Sequence, residues 1–367
     1  MNRKITISGF QFFCTIFLFE VGTASLVSLA TKAKQDAWIS LLISLFFGCL
    51  LYYLYTKIFE MYPDIPFTNY VQQILGEYAG KLVALIYIIY FIYMSALILR
   101  KFEDLLVITL FNASSLILIG ILMLLLIMYG LFKGFETIAR TNEVLFVLIT
   151  IIILIVIAFE FISKVYNINN LRPVLENGWI PVIKAAIPLG VTLPFGEIVA
   201  FIILMPYLNK QKKAIKIGMP ALILSGVVLT IFTIKNISIL GVSTLERTLF
   251  PLLTAIGYIN IANFIQRLDT FIVILMVCAG FVKITIFFYC AVSEASELFN
   301  VKKSEQLIYP ISIIILLSSL WIAPNIIEHD RERLEFVPYI LHIPLQIIIP
   351  ISLLIIAIIQ RKLKEKK

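Results

Sequence analysis

The sequence predicts an all-α polytopic membrane protein with ten transmembrane helices. Hydrophobic residues make up 61% of its 367 residues and charged residues 14%, whereas soluble domains average roughly 45–50% and about 25%. The apolar residues also gather in ten runs of about 20 residues, the length that crosses roughly 30 Å of hydrocarbon. We therefore expect the whole chain, residues 1–367, to form a single integral membrane domain in the lipid bilayer.

The ten predicted helices follow one another along the chain. They span approximately residues 8–29, 37–59, 82–102, 114–132, 144–162, 185–207, 217–240, 271–294, 307–323 and 340–360. An even number of helices places both termini on one side of the membrane, and the loops of that side hold more Lys and Arg, most clearly at 209–216. The positive-inside rule therefore predicts that both termini are cytoplasmic. The charged residues 324–338 are predicted to form an ordinary outer loop, with an ion vestibule as the alternative.

Residue types that often carry chemistry are scarce or unsuitably placed. The four cysteines lie inside apolar runs and there are two histidines, so we expect no disulfide, metal site or cofactor. A net charge of +8 could indicate a nucleic-acid partner, but its concentration in the loops is typical of membrane topology, and no nucleic acid is expected. The patterns His-Glu-x-x-His and Gly-x-Ser-x-Gly are missing from the sequence, so an intramembrane enzyme is not expected.

Predicted helix 6 is interrupted in the middle of its apolar sequence, where Leu193, Pro194, Phe195, Gly196 and Glu197 follow one another. Proline removes an amide donor, glycine weakens a helix, and an ionised carboxylate at the midplane costs on the order of 3 kcal/mol. Non-helical backbone survives at that depth only where protein or a watery cavity surrounds it. A break here is therefore a candidate binding site, and a proline kink without a ligand is the alternative.

Predicted helix 1 contains a related interruption. A carboxylate, a glycine and small residues lie at its centre: Glu20, Gly22, Thr23, Ala24 and Ser25. Interrupted helices at matching positions of two repeats are the sequence feature that best indicates a transporter-type binding site. Since the two interrupted helices are the first and the sixth of ten, the chain is predicted to consist of two inverted repeats of five helices, about 5–165 and 182–360.

The ends of the half-helices indicate what such a site binds. The half-helix after a break begins with free N–H groups that favour an anion, and the half-helix before it ends in carbonyls that favour a cation. We expect the backbone of Gly22 to Ser25, with the hydroxyls of Thr23 and Ser25, to bind a carboxylate. The carbonyls of residues 190–194 are expected to bind an ammonium, and Phe195 to contact the ligand's side chain. A zwitterionic amino acid matches this arrangement.

Five stretches of the sequence resemble the spore-germination permease family, the B-type subunits of nutrient germinant receptors. The similarity covers nearly the full length, and its specificity comes from the order and spacing of the stretches. They read TISGFQFFCTIFLFEVGTASL, PDIPFTNYVQQILGEYAGK, KGFETIARTNEV, LPFGEIVAF and IANFIQRLDTFIVILM.

This resemblance implies the ten-helix inverted-repeat fold of the amino acid–polyamine–organocation superfamily, with discontinuous helices 1 and 6. It also implies a subunit of the dormant spore's inner membrane that binds an amino acid or similar small nutrient and triggers germination. Its implied partners are the A-type and C-type receptor subunits. The alternative is a proton- or sodium-coupled amino acid transporter, which uses the same pocket. A pore formed with partners is a further possibility.

Three ionisable residues, Glu20, Glu197 and Lys283, lie deep within predicted helices 1, 6 and 8. Because buried charges pair with one another or line water, Lys283 is expected close to one of the glutamates. Such a pair could simply hold helix 8 against the broken helices. Alternatively, the lysine stands where sodium-coupled members of the superfamily bind a metal ion between helices 1 and 8. A proton relay through Glu20 or Glu197 is also open.

Tyrosines recur every three residues along predicted helix 3, at Tyr87, Tyr90 and Tyr93. Buried tyrosines usually pack in the core and satisfy their hydroxyls with neighbours. Helix 3 lines the site in the superfamily that this sequence resembles. If a tyrosine reaches the ligand, Tyr90 and Tyr93 have the right depth.

Overall fold

The computed structural model describes residues 6–24, 30–63, 65–259 and 269–365, and its regular elements there are all helical. The backbone before the first helix pairs with the end of the sixth crossing, because Ile7 N–H donates to the Tyr207 carbonyl at 2.8 Å and Asn209 N–H donates to the Ile7 carbonyl at 3.0 Å. These two hydrogen bonds tie the chain's first described residues to the crossing that carries the central break.

The helices are defined here by their bounds and numbered along the chain. They are α1 (Gly9–Ala24), α2 (Ala37–Met61), α3 (Phe67–Leu75), α4 (Glu77–Thr109), α5 (Leu116–Lys133), α6 (Phe135–Ile162), α7 (Trp179–Ala185), α8 (Phe201–Leu204), α9 (Ala214–Arg247), α10 (Pro251–Ile256), α11 (Asp269–Leu298), α12 (Ile308–Ile322), α13 (Ile326–Arg331) and α14 (Ile349–Glu365).

Nine helical stretches of the described residues are long and apolar enough to cross a membrane. They correspond to predicted helices 2 to 10, and α1 occupies the place of predicted helix 1. The predicted class, an all-α polytopic membrane protein, is therefore confirmed. The division into two inverted repeats and the cytoplasmic position of the termini stay predictions.

Small residues allow the central helices to approach closely. The helix α4 lies along α11, and α1 packs against α6, α9 and α11. A Cβ atom on Gly22 of α1 would lie 2.8 Å from the Ala279 carbonyl oxygen of α11, and Gly280 faces the ring of Phe102 on α4. Van der Waals packing drives helix association in lipid, so glycine at these crossings lets the backbones approach.

The sixth crossing, Trp179–Tyr207, is broken as predicted. After α7 comes a π-helical turn, Ala186–Gly190, in which Ile187 has extended torsions (φ −122°, ψ 125°). A 3-10 turn, Phe195–Ala200, then leads into α8. Pro188 and Pro194 explain the break, because each proline lacks an N–H and disfavours helical torsions in the residue before it. The crossing is largely buried inside the protein, where non-helical backbone is tolerated.

The first crossing is helical as far as α1 extends. Residues 20–24, including Glu20, Gly22, Thr23 and Ala24, have helical backbone, and α1 ends at Ala24 rather than at the predicted residue 29. A glycine without a neighbouring proline costs a helix only about 1 kcal/mol, so Gly22 by itself does not break it. Ser25, which was also placed in the break, lies outside the described residues.

The last crossing is irregular in its first half, at the face of the protein where α1 ends, and we call this face the outer face. Two π-helical stretches, Glu332–Phe336 and Pro338–Ile348, precede the regular α14. The region 324–338 was expected to be an ordinary charged loop, but much of it is helical, and the side chains of His329 and Arg333 are buried. An outer loop rich in charge is here folded back onto the protein.

Candidate functional site

Three crossings bring their buried charges together. Glu20 lies on α1, Glu197 on the 3-10 turn of the broken crossing and Lys283 on α11, and each is at most 1% exposed. The Lys283 ammonium forms an ion pair with the Glu197 carboxylate and lies 4.7 Å from the ring centre of Phe19. The lysine thus joins the eighth crossing to the sixth, with an aromatic face of the first beside it.

Glu20 lies within the electrostatic influence of this ion pair but is not part of it. Lys283 and Glu197 are the charged groups that act on Glu20. Neither oxygen of Glu20 has a hydrogen-bond partner among the described residues. Burying a carboxyl group without hydrogen bonds is costly, so both oxygens of Glu20 have unused hydrogen-bonding capacity.

The tyrosines of α4 connect the cluster to the last crossing. Tyr90 accepts a hydrogen bond from Gln346 Nε2 at 2.8 Å. Tyr87 donates to the Leu345 carbonyl and Tyr55 to the Gln346 carbonyl, both at 2.5 Å.

Tyr93 lies away from that network. Its hydroxyl donates to Glu332 Oε1 at 2.5 Å, at the outer end of the last crossing. The predicted stripe is therefore divided: Tyr87 and Tyr90 support the buried site, and Tyr93 contacts the outer segment.

Residues 193–196, at the break in the sixth crossing, are apolar and determine how closely its backbone approaches the neighbouring crossings. Leu193, Phe195 and Gly196 are fully buried, and Pro194 lies among them. A Cβ atom on Gly196 would collide with Gln346 Oε1, so glycine is required for this close approach. Phe195 packs against Gly48 of α2, which places the base of its side chain between two crossings.

Three contacts close the outer end of the site, and we call them the outer latch. Lys101 Nζ, fully buried, contacts both Asp330 oxygens at 2.6 and 2.8 Å. The His329 ring lies 2.9 Å from the Leu97 carbonyl oxygen, measured from Nε2. The third contact is Tyr93 with Glu332. Together they fasten α4 to α13 and to the start of the last crossing.

A small outer cavity of about 160 Å³ adjoins the latch. Its lining includes Ala30, Ala185, Leu189, Asp330 and Leu334. Ala185 ends α7 and Leu189 lies in the π-helical turn that follows it, so the cavity adjoins the broken backbone of the sixth crossing.

The latch should respond to acid through Asp330. Burial tends to raise the pKa of Asp330, whereas His329 and the Lys101 ammonium lower it, and the net pKa lies below the usual 3.8. A carboxyl group with a lowered folded pKa stabilises the fold fully above its unfolded pKa, and this stabilisation is lost as pH falls through the folded pKa. As the pH is lowered past about 4, we expect the melting temperature of wild type to decrease. The melting temperature of Asp330→Asn should already be lower at neutral pH and should decrease less steeply in acid.

Thermal unfolding of the purified chain in detergent between pH 3 and pH 7 measures this. Glu328→Gln, at an exposed site on α13, is the control and should follow the wild-type curve. Parallel curves for wild type and Asp330→Asn would contradict the assignment.

The last crossing also contributes polar residues to the site, and these were not predicted from the sequence. His342 and Gln346 are fully buried, and neither ring nitrogen of His342 has a hydrogen-bond partner among the described residues. The His342 ring lies edge-on to Tyr90, with ring centres 6.0 Å apart. A signal was present in the sequence, because a histidine and a glutamine inside an apolar crossing are costly and indicate a functional face.

Comparison with known proteins agrees with this architecture. A family model of spore germination proteins, the spore permease family, matches residues 6–327. Spore germination protein KB of Bacillus subtilis (strain 168) is 35% identical over 99% of this chain and 98% of its own length. Spore germination protein YndE of the same organism is 27% identical over 87% of this chain and 88% of its own.

A solved structure shares the fold. It is the substrate-bound outward-open state of a Na⁺-coupled sialic acid symporter, with a TM-score of 0.65, 13% sequence identity and coverage of 94% of this chain and 78% of that one. This likeness shows a transporter-like helical fold. Because the family model covers most of the sequence, and a spore germination protein matches it almost end to end, the chain belongs to the spore permease family of spore germination proteins.

Proposed function

We propose that this chain is the membrane subunit of a spore nutrient germinant receptor. It binds an amino acid or similar small nutrient at the buried site and triggers germination through A-type and C-type partner subunits. In this proposal it lies in the inner membrane of the spore with both termini in the cytoplasm. Family membership supports the germination role, and the transporter-like fold supports a ligand site at the break in the sixth crossing.

The observation that carries the proposal is the buried carboxylate of Glu20, which has no hydrogen-bond partner among the described residues. A ligand ammonium supplies both the donors and the positive charge that this carboxylate needs. The N–H groups of Gly22 to Ala24 bond within α1, so they are not free to bind the ligand carboxylate as the sequence suggested. Of the backbone expected to bind that carboxylate, Ser25 lies outside the described residues, and in this proposal the side chain of Glu20 makes the first crossing a cation site.

Lys283 bears on the choice between a receptor and a coupled transporter. Its ammonium is fully buried and paired with Glu197. In sodium-coupled members of the superfamily that the sequence resembles, a metal ion binds between helices 1 and 8, and here the Lys283 ammonium would take that place, so the site favours nutrient sensing over sodium-coupled uptake. Uptake of labelled amino acid by liposomes that contain only this chain would instead support the transporter.

Replacing Glu20 with Gln tests the proposed site. We expect the purified wild-type chain in lipid nanodiscs to bind at least one of the twenty standard amino acids. We expect Glu20→Gln to weaken that binding at least about tenfold, or about 1.4 kcal/mol, because the ligand ammonium loses its counter-charge. Glu60→Gln, at a partly exposed ion pair with Lys57, is the control. Unchanged affinity in Glu20→Gln would remove Glu20 from the site.

A further inference from the structure

The π-helical start of the last crossing aligns three polar residues: Arg333, His342 and Gln346. At about 3.6 residues per turn, positions 333 and 342 would lie on opposite faces of an α-helix. Bonding from i to i+5 gives roughly 4.4 residues per turn, which brings positions 333, 342 and 346 close to one face. Both stretches that contain them are π-helical, and π-helical turns occur frequently at functional sites.

This face is directed at the buried site. Gln346 donates to Tyr90 and its side chain touches Gly196 at the break in the sixth crossing. His342 lies edge-on to the same tyrosine. The helical register therefore places Arg333 on the site side of the last crossing, about two turns further toward the outer latch.

Arg333 is a buried cation with unused hydrogen-bonding capacity. Its side chain is 2% exposed, and Nη1 has no hydrogen-bond partner among the described residues. The carboxylates whose charges act on Arg333 are those of Glu197 and Asp330. An arginine stays protonated in proteins, so the guanidinium is a permanent positive charge.

The two carboxylates near Arg333 are already paired with lysines. Glu197 pairs with Lys283 and Asp330 pairs with Lys101. Arg333 therefore lies between two ion pairs, within range of both. Among the buried charged groups that the structure describes in the site, Glu20 is the carboxyl group and Arg333 the cation without an ion pair of their own.

We propose that Arg333 is a ligand-binding residue that holds the carboxylate of the nutrient whose ammonium contacts Glu20. This inference rests on the proposed function and specifies its substrate class: zwitterions with a free carboxylate. A guanidinium binds a carboxylate through two parallel hydrogen bonds, with a geometry that a lysine cannot reproduce. Arg333 follows Asp330 by three residues, so in this proposal a ligand bound to Arg333 lies next to the outer latch along the chain.

The test compares each amino acid that binds the full chain in nanodiscs with its amide, which lacks the carboxylate charge. L-alanine and L-alaninamide are the first pair, and the other standard amino acids follow. We expect wild type to bind the acid at least about tenfold more tightly than the amide. Arg333→Gln should bring that ratio close to one, mainly by weakening the acid. Arg331→Gln, at an exposed position two residues away, should keep the wild-type ratio.

The outcomes separate the two proposals. If wild type binds a nutrient but binds the acid no more tightly than the amide, the role of Arg333 is overturned and the proposed function stands. The same follows if Arg333→Gln keeps the wild-type preference for the acid over the amide. Failure of wild type to bind any of these probes overturns the proposed function and this inference together. If Arg333→Gln does not fold, Arg333→Lys serves instead: it keeps the charge and should lower the acid-to-amide ratio several-fold, and an unchanged ratio would count against the proposal.

Discussion

Replacing Lys283 with Met is expected to destabilise the chain severely and to abolish the germination response. The lysine is the ion-pair partner of Glu197, and both side chains are at most 1% exposed. Removing one member of a buried ion pair leaves an uncompensated charge and typically costs about 3–5 kcal/mol. Thermal unfolding of the purified chain, followed by fluorescence-detected size exclusion, measures the loss of stability, and spores carrying the variant report the response.

The double variant Lys283→Met with Glu197→Gln separates the charge effect from packing. We expect it to recover a large part of the lost stability, because it removes the stranded carboxylate, but not the nutrient response. Lys81→Met is the control, since Lys81 pairs with Glu77 at an exposed position, where ion pairs contribute little. Wild-type stability and signalling in Lys283→Met would mean that the buried pair has neither role.

Substituting leucine for Gly22 or Gly196 is expected to abolish the nutrient response while the chain still inserts in the membrane. At Gly22 a Cβ atom would lie 2.8 Å from the Ala279 carbonyl oxygen, and this backbone atom of α11 cannot move aside without shifting the helix. At Gly196 the new side chain would displace Gln346 and would lie 3.2 Å from the Val191 carbonyl oxygen. Spores should not germinate even at a nutrient concentration about tenfold above the one that suffices for wild type, which corresponds to a loss of at least about 1.4 kcal/mol in nutrient affinity.

Gly130→Leu provides the matched control for both variants. Gly130 lies on α5 away from the site, and its nearest neighbour to a new Cβ atom is Ile138 Cγ1 at 3.8 Å, an ordinary contact. Membrane fractions should contain all three variants at similar levels. A wild-type dose response in Gly22→Leu or Gly196→Leu would show that close approach at that glycine is not needed for nutrient binding.

Local sequence properties were sufficient to predict the class of the protein and most of its crossings. Each crossing is a contiguous apolar run, and hydropathy acts over neighbouring residues. The break in the sixth crossing was also predictable, because Pro188 and Pro194 act on the backbone beside them. In the first crossing, which has Gly22 but no proline, residues 20–24 are helical and α1 ends at Ala24.

The assembly of the site depended on contacts that no local pattern contains. The depth of Glu20, Glu197 and Lys283 followed from hydropathy, but either glutamate could have paired with the lysine, and only packing selected Glu197, 86 residues earlier in the chain. Tyr90 meets Gln346 across 256 residues.

The last crossing shows most clearly which properties follow from the sequence alone and which depend on the tertiary structure. Its apolar composition determined that it crosses the membrane, whereas its π-helical register, which turns Arg333 toward the site with His342 and Gln346, became visible only in the tertiary structure. The physical reason is that hydrophobicity belongs to each residue, while helical register and ion pairing are decided by which other crossings pack against it.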